Sequence, residues 1–192
     1  MFDFTPATSE AARLLEGVRE DHFTALTPCD KWRVAELLDH LAGLCLAFTA
    51  AAGKTSPSTG ASSPGDWREQ LQHRLATLAE AWTHPTAWEG TTEAGGVTMP
   101  GRTCAVVALD EVVVHSWDLA VATGQEVVVH PPVAATLHGF WSARDDTGAE
   151  LPRRAEIFGH PVAVPVTAPV FDQVLGLTGR DPLWRAASLS RG

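Results

Sequence analysis

The stretch from Arg102 to Gly124, RTCAVVALDEVVVHSWDLAVATG, decides the fold. It is apolar nearly all round, and its Val112-Val113-Val114 run suits a strand as well as a helix. Length arbitrates: about twenty residues between two glycine breaks is long for a strand, so the segment reads as a helix buried in the middle of a bundle. Two ionisable side chains sit inside it. Glu111 and His115 lie one turn apart and share a face with Cys104, Val107, Ala108, Asp118 and Ala122. A carboxylate on an otherwise apolar helix is costly unless it is paired or coordinated.

The next clearest segment upstream runs from Val34 to Ala52, with Leu37, Leu41, Leu44 and Phe48 along one stripe and Gly53 at its end. His40 borders that stripe, three residues after Leu37 and four before Leu44, so its imidazole faces the interior and needs a partner. His40, Glu111 and His115 are therefore the candidate ligands of one divalent metal ion, zinc by preference, because two imidazoles and a carboxylate form a common catalytic zinc set with the fourth position left to water or substrate. The plainer alternatives are a helix-surface Glu-His ion pair and a satisfied core histidine. Burial of the central helix tells against the first, which expects a solvated face.

Asp118, three residues beyond His115 on the same face, could accept the second ring N–H of that histidine and fix its tautomer. Pairing with a basic residue near the helix end fits it equally well. Trp117 projects from another side and reads as packing, and Asp110 points well away from Glu111, so paired-carboxylate acid/base chemistry is not supported. Cys104 stands roughly 10 Å along the axis from Glu111, too far for direct coordination beside it, and reads with Cys45 as a small hydrophobe. Cys29, in a turn, is the thiol expected to be exposed. His22, His73, His84, His130, His138 and His160 have no convergent partner at ligand spacing.

Around these segments the periodicity predicts a helix from Ser9 to about Phe23, a loop over the Ser, Thr, Pro and Gly-rich stretch from Gly53 to Gly65, and a helix capped by Asp66 that runs to about Trp82. From His84 to Gly101, Pro85, Pro100 and Gly95-Gly96 break the pattern, which predicts loop with a short extended piece. Pro131-Pro132 opens a helix to about Arg144. A short extended segment and a helix from about Ala168 to Leu177 follow.

The chain has 192 residues with a formal charge of -9, from 14 Lys and Arg against 23 Asp and Glu. With no basic run, nucleic acid and anionic membranes are poor partners. No window matches the apolar length of a membrane span, and MFDFTPATSE lacks a basic region followed by an apolar core, so the protein is expected to be soluble and unexported. Three cysteines, none at zinc-finger spacing, fit a reducing cytoplasm.

Thr27-Pro28-Cys29, Trp32, LLDHLAGL, EVVVHSWDLAVATGQ and FDQVLGLTGRDPLW together resemble the metal-binding family related to mycothiol-dependent maleylpyruvate isomerase, of the DinB-like superfamily. Arg33 stands where that pattern suggests a small capping residue. The resemblance implies a mainly α protein, with a DinB-like four-helix bundle over residues 1–126 and a small α+β C-terminal part over 127–192. It places the metal ligands on His40, Glu111 and His115. It also implies a cytoplasmic thiol transferase or isomerase acting on a small electrophile, with mycothiol or a similar low-molecular-weight thiol as co-substrate. The alternatives are a non-catalytic metal-containing ligand-binding or pathway accessory protein, and a bundle whose three residues only hydrogen-bond one another. Oligomeric state is open between monomer and homodimer.

Overall fold

The computed structural model describes residues 1–30, 32–56, 66–143 and 159–186. Among them are helices α1 (Thr5–Glu16), α2 (Val34–Gly53), α3 (Trp67–Ala81), α4 (Gly101–Ala122), α5 (Pro131–Trp141) and α6 (Val170–Leu177), and one hairpin, β1 (Thr91–Ala94) and β2 (Val97–Pro100). The protein is mainly α, with a DinB-like bundle of α1 to α4. Each of α1 and α2 packs against both α3 and α4, and α5 packs on α4 and α6.

The central helix forms as its apolar circumference requires. From Gly101 to Ala122 nearly every position of α4 is buried, because the bundle surrounds it. Leu109, Val112, Val113 and Leu119 join Leu14, Leu15, Leu37, Leu41, Leu75 and Leu78 in one core, which Val133, Leu137 and Val174 of the later helices extend. Each such aliphatic side chain contributes about 1.5–3 kcal/mol by leaving water. Gly101 opens the helix where nothing larger fits: a Cβ there would meet the Ala87 carbonyl oxygen at 2.5 Å.

Helix α2 starts where the sequence places it, despite Arg33. The Glu36 carboxylate accepts the Arg33 backbone N–H at 2.8 Å, which satisfies one orphan donor without a small capping residue. Lys54, with φ 54°, closes the far end. Contrary to the sequence reading, α2 is long and apolar enough to cross a membrane by length and composition alone. The buried stripe of Leu37, Leu41, Cys45 and Phe48 is accounted for by bundle packing.

Helix α1 begins earlier and stops sooner than periodicity predicts. Asp3 accepts the Thr5 N–H at 2.8 Å, and Pro6 presets the first turn. Its end is decided by side chains from elsewhere: Gln125 donates to the Leu14 carbonyl, and Arg68 to those of Leu15 and Val18. Asp66 caps α3 as expected, accepting the Arg68 N–H at 3.0 Å.

The segment read mainly as loop holds the antiparallel pair β1 and β2, with Ala94 opposite Val97. Gly95 and Gly96 both take positive φ, 58° and 77°, as a two-residue hairpin turn needs. Among the described residues these are the strands, so the described C-terminal residues contribute no ladder, and 161–165 have no regular secondary structure. The predicted loop at 57–65 lies outside the described residues.

Candidate metal centre

Packing of α2 on α4 brings His40 against Glu111 and His115. The Glu111 Oε2 lies 3.1 Å from His115 Nε2 and 3.7 Å from His40 Nε2. One donor atom from each residue falls within 4.8 Å of the other two. Two ligands bound tetrahedrally at about 2.1 Å from one ion are about 3.4 Å apart, a separation that the two measured distances bracket. Two imidazole nitrogens and a carboxylate oxygen are also the donor chemistry a zinc-class ion takes.

The electrostatics favour a cation at this point. Burial works to raise the Glu111 carboxyl, but the hydrogen bonds and charges of His115 and His40 prevail and hold it at about 2. Burial works to lower the His115 imidazolium, and its hydrogen bonds to Asp118 and Glu111 push it to about 9 instead. In the metal-free chain Glu111 and His115 are thus an ion pair, and the proton they share occupies ground a metal ion would take.

Behind the triad, His115 Nδ1 lies 2.9 Å from Asp118 Oδ2. The same oxygen accepts from Arg180 Nη2 at 2.9 Å. Asp118 therefore meets both His115 and a basic residue, and that basic residue comes from the C-terminal segment rather than from the helix end.

In front of the triad is Trp32, its ring stacked on His40 with centroids 4.0 Å apart and planes at 27°, and edge-on to His115 at 5.6 Å. The Thr27 hydroxyl, within hydrogen-bond reach of the Cys29 and Trp32 carbonyls, ties down the turn that carries this indole. The cleft measures about 110 Å³ and is walled by Cys29, Trp32, Gly159, Gly179 and Arg180 around the three donors.

Trp32, Arg180 and Cys29 were not assigned to the site from sequence. The signals were weak: an aromatic in a turn, a lone arginine after a glycine, and a thiol read as exposed. Cys29 is in fact buried, at 8 % exposure, because the turn folds inward against the cleft. Cys45 and Cys104 are buried, with burial pushing their thiols up to about 12 and 11. Trp117 is buried, as expected of packing. Asp110 faces away from the cluster and accepts Trp141 Nε1 at 2.9 Å. No other His joins the ligand cluster among the described residues.

A helical bundle with two imidazoles and a carboxylate converging from two helices is consistent with the DinB-like class. Comparison with known proteins narrows the class. The mycothiol maleylpyruvate isomerase N-terminal domain model matches residues 4–120, and the chain belongs to that family. Two uncharacterised proteins of Mycobacterium tuberculosis, from strains CDC 1551 and ATCC 25618, are each 27 % identical to it over 171 residues, or 88 % of this chain and 91 % of theirs. Two crystal structures of mycothiol-dependent maleylpyruvate isomerase share the fold. One, a histidine-to-alanine mutant, aligns with TM-score 0.57 and 21 % identity over 76 % of this chain and 71 % of that one. The other aligns with TM-score 0.53 and 22 % identity over 72 % and 68 %.

Proposed function

We propose that the protein is a metal-dependent enzyme, zinc being the preferred ion, that uses mycothiol or a similar small thiol to transfer to, or isomerise, a small electrophile in the cytoplasm. In this reading the bundle over residues 1–126 carries the ion and the C-terminal part over 127–192 packs against the bundle. The supporting observation is the convergence of His40, Glu111 and His115 on one point at the floor of an open cleft. Family membership and the mycothiol dependence of the isomerases that share the fold support the choice of thiol.

The metal would be held by His40 Nε2, His115 Nε2 and Glu111, with Asp118 on the far ring nitrogen of His115. Bound there, a divalent ion favours the anion of a thiol or of water near neutral pH. The chain's own groups prepare the site. Asp118 keeps a proton on Nδ1 of His115 so that Nε2 is the free donor. Trp32 fixes the His40 ring by stacking and covers one flank of the cluster against water. The cleft admits a small electrophile and the thiol end of a larger molecule, whose remainder lies outside.

The test is a turnover assay on untagged, metal-analysed protein, with a panel of small α,β-unsaturated acids and alkyl halides, with and without mycothiol. Turnover that requires both metal and thiol is expected. Stoichiometric metal without turnover of any electrophile would instead indicate a binding or accessory protein, and protein that takes up no metal would refute the reading.

A further inference from the structure

Asp118 and Arg180 lie 62 residues apart in sequence and form a fully buried ion pair, at 0 % and 6 % side-chain exposure. Such a pair is a poor stabilising device, because removing two charges from water costs several kcal/mol per ion and apolar side chains of similar size often serve as well. Its geometry is better explained by what it adjoins. Arg180 addresses both oxygens of Asp118, Nη2 to Oδ2 at 2.9 Å and Nε to Oδ1 at 3.4 Å, and so fixes the plane of the carboxylate. The Oδ2 held in this way is the oxygen that meets His115 Nδ1.

Arg180 is itself anchored. Its N–H donates to the Leu175 carbonyl at 2.8 Å and its Nη1 to the Thr178 carbonyl at 2.8 Å, so the guanidinium is fixed to the end of α6. The preceding residue makes the turn possible. Gly179 has φ +78°, and a Cβ there would meet the backbone of Gly159 at 2.9 Å. Only glycine combines that conformation with that approach.

Building on the metal reading above, we propose that Arg180 is a positioning residue of the metal centre. Through Asp118 it orients His115, so the segment after α6 is a working part of the site rather than a cover over it. Partners at this remove from a metal commonly set its affinity by ten- to a hundredfold.

Cobalt(II) binding to the full chain, read by affinity and by the visible absorption of the bound ion, tests this. Arg180→Met is expected to weaken cobalt binding about ten- to a hundredfold and to change the spectrum, and Arg180→Lys to recover part of both. Val174→Ala opens a cavity in the buried face of the same helix without touching Asp118, and should leave both readouts unchanged. Wild-type affinity and spectrum in Arg180→Met would overturn the proposal, as would an equal loss in Val174→Ala. If Arg180→Met does not fold, Arg180→Lys carries the comparison, and wild-type values in it would count against the proposal. Wild-type protein that binds no cobalt defeats the metal reading itself, an outcome distinct from any difference between variants.

Discussion

Truncating the two histidines separately distinguishes ligation from structural hydrogen bonding, because their surroundings differ although their proposed roles match. In His115→Ala the buried carboxylates of Glu111 and Asp118 lose donors at 3.1 and 2.9 Å, and among the described residues Glu111 keeps His40 at 3.7 Å. Breaking a buried pair from one side costs about 3–5 kcal/mol. At about 2–4 °C per kcal/mol for a chain of this length, the metal-free variant should melt on the order of 6–20 °C lower than wild type. His40 is 28 % exposed, so His40→Ala loses a long contact and the Trp32 stack, about 1–2 kcal/mol in all. Yet both variants should lose zinc affinity by about an order of magnitude or more, since three ligands leave no redundancy. Wild type with zinc at about a hundred times its Kd should gain about 2.7 kcal/mol. The assay is a thermal melt of metal-free protein, with and without added zinc, beside metal analysis. Stoichiometric zinc in either variant refutes the ligand assignment. If zinc does not raise the wild-type melting temperature, the three side chains only bond one another.

Zinc affinity should rise with pH up to about 9, because below that value His115 in the metal-free chain holds a proton that binding must expel. Calorimetry in buffers of different ionisation enthalpy should count about one proton released from His115 near neutrality, and an affinity independent of pH would contradict this. Cys45 and Cys104, raised to about 12 and 11 by burial, should resist aromatic disulfide reagents in the native state and react in denaturant. Fast labelling of either in folded protein would show that the core opens readily. Asp110 is raised to about 8, chiefly by burial, and so keeps its proton in the folded chain after the unfolded chain has lost it. It therefore subtracts stability as pH rises from about 4 to 8, at about 1.36 kcal/mol per unit. Asp110→Asn should flatten that part of a denaturation-against-pH curve, and an unchanged slope would refute the assignment.

Local periodicity made α2, α3 and α4 legible, because an apolar stripe or an apolar circumference is a property of the segment itself. Asp66 was readable as a cap for the same reason. The hairpin was less so: four-residue strands carry little alternation, and Gly95-Gly96 between TTEA and VTMP was the one usable signal. The end of α1 depends on Gln125 and Arg68, which no window around Glu16 contains.

The candidate site divides along the same line. Glu111 and His115 share a helix, so their common face follows from 3.6 residues per turn, and the apolar setting of α4 marks them as costly unless satisfied. That His40 meets them is a consequence of α2 packing on α4. Arg180 reaching Asp118, Trp32 lying over His40 and Cys29 turning inward are likewise decided by tertiary contacts. The sequence alone determined which side chains need a partner, since burial and helical phase are local. Only the folded chain decided which partner each one found, because that depends on how separate elements pack, and packing joins residues that sequence spacing does not relate.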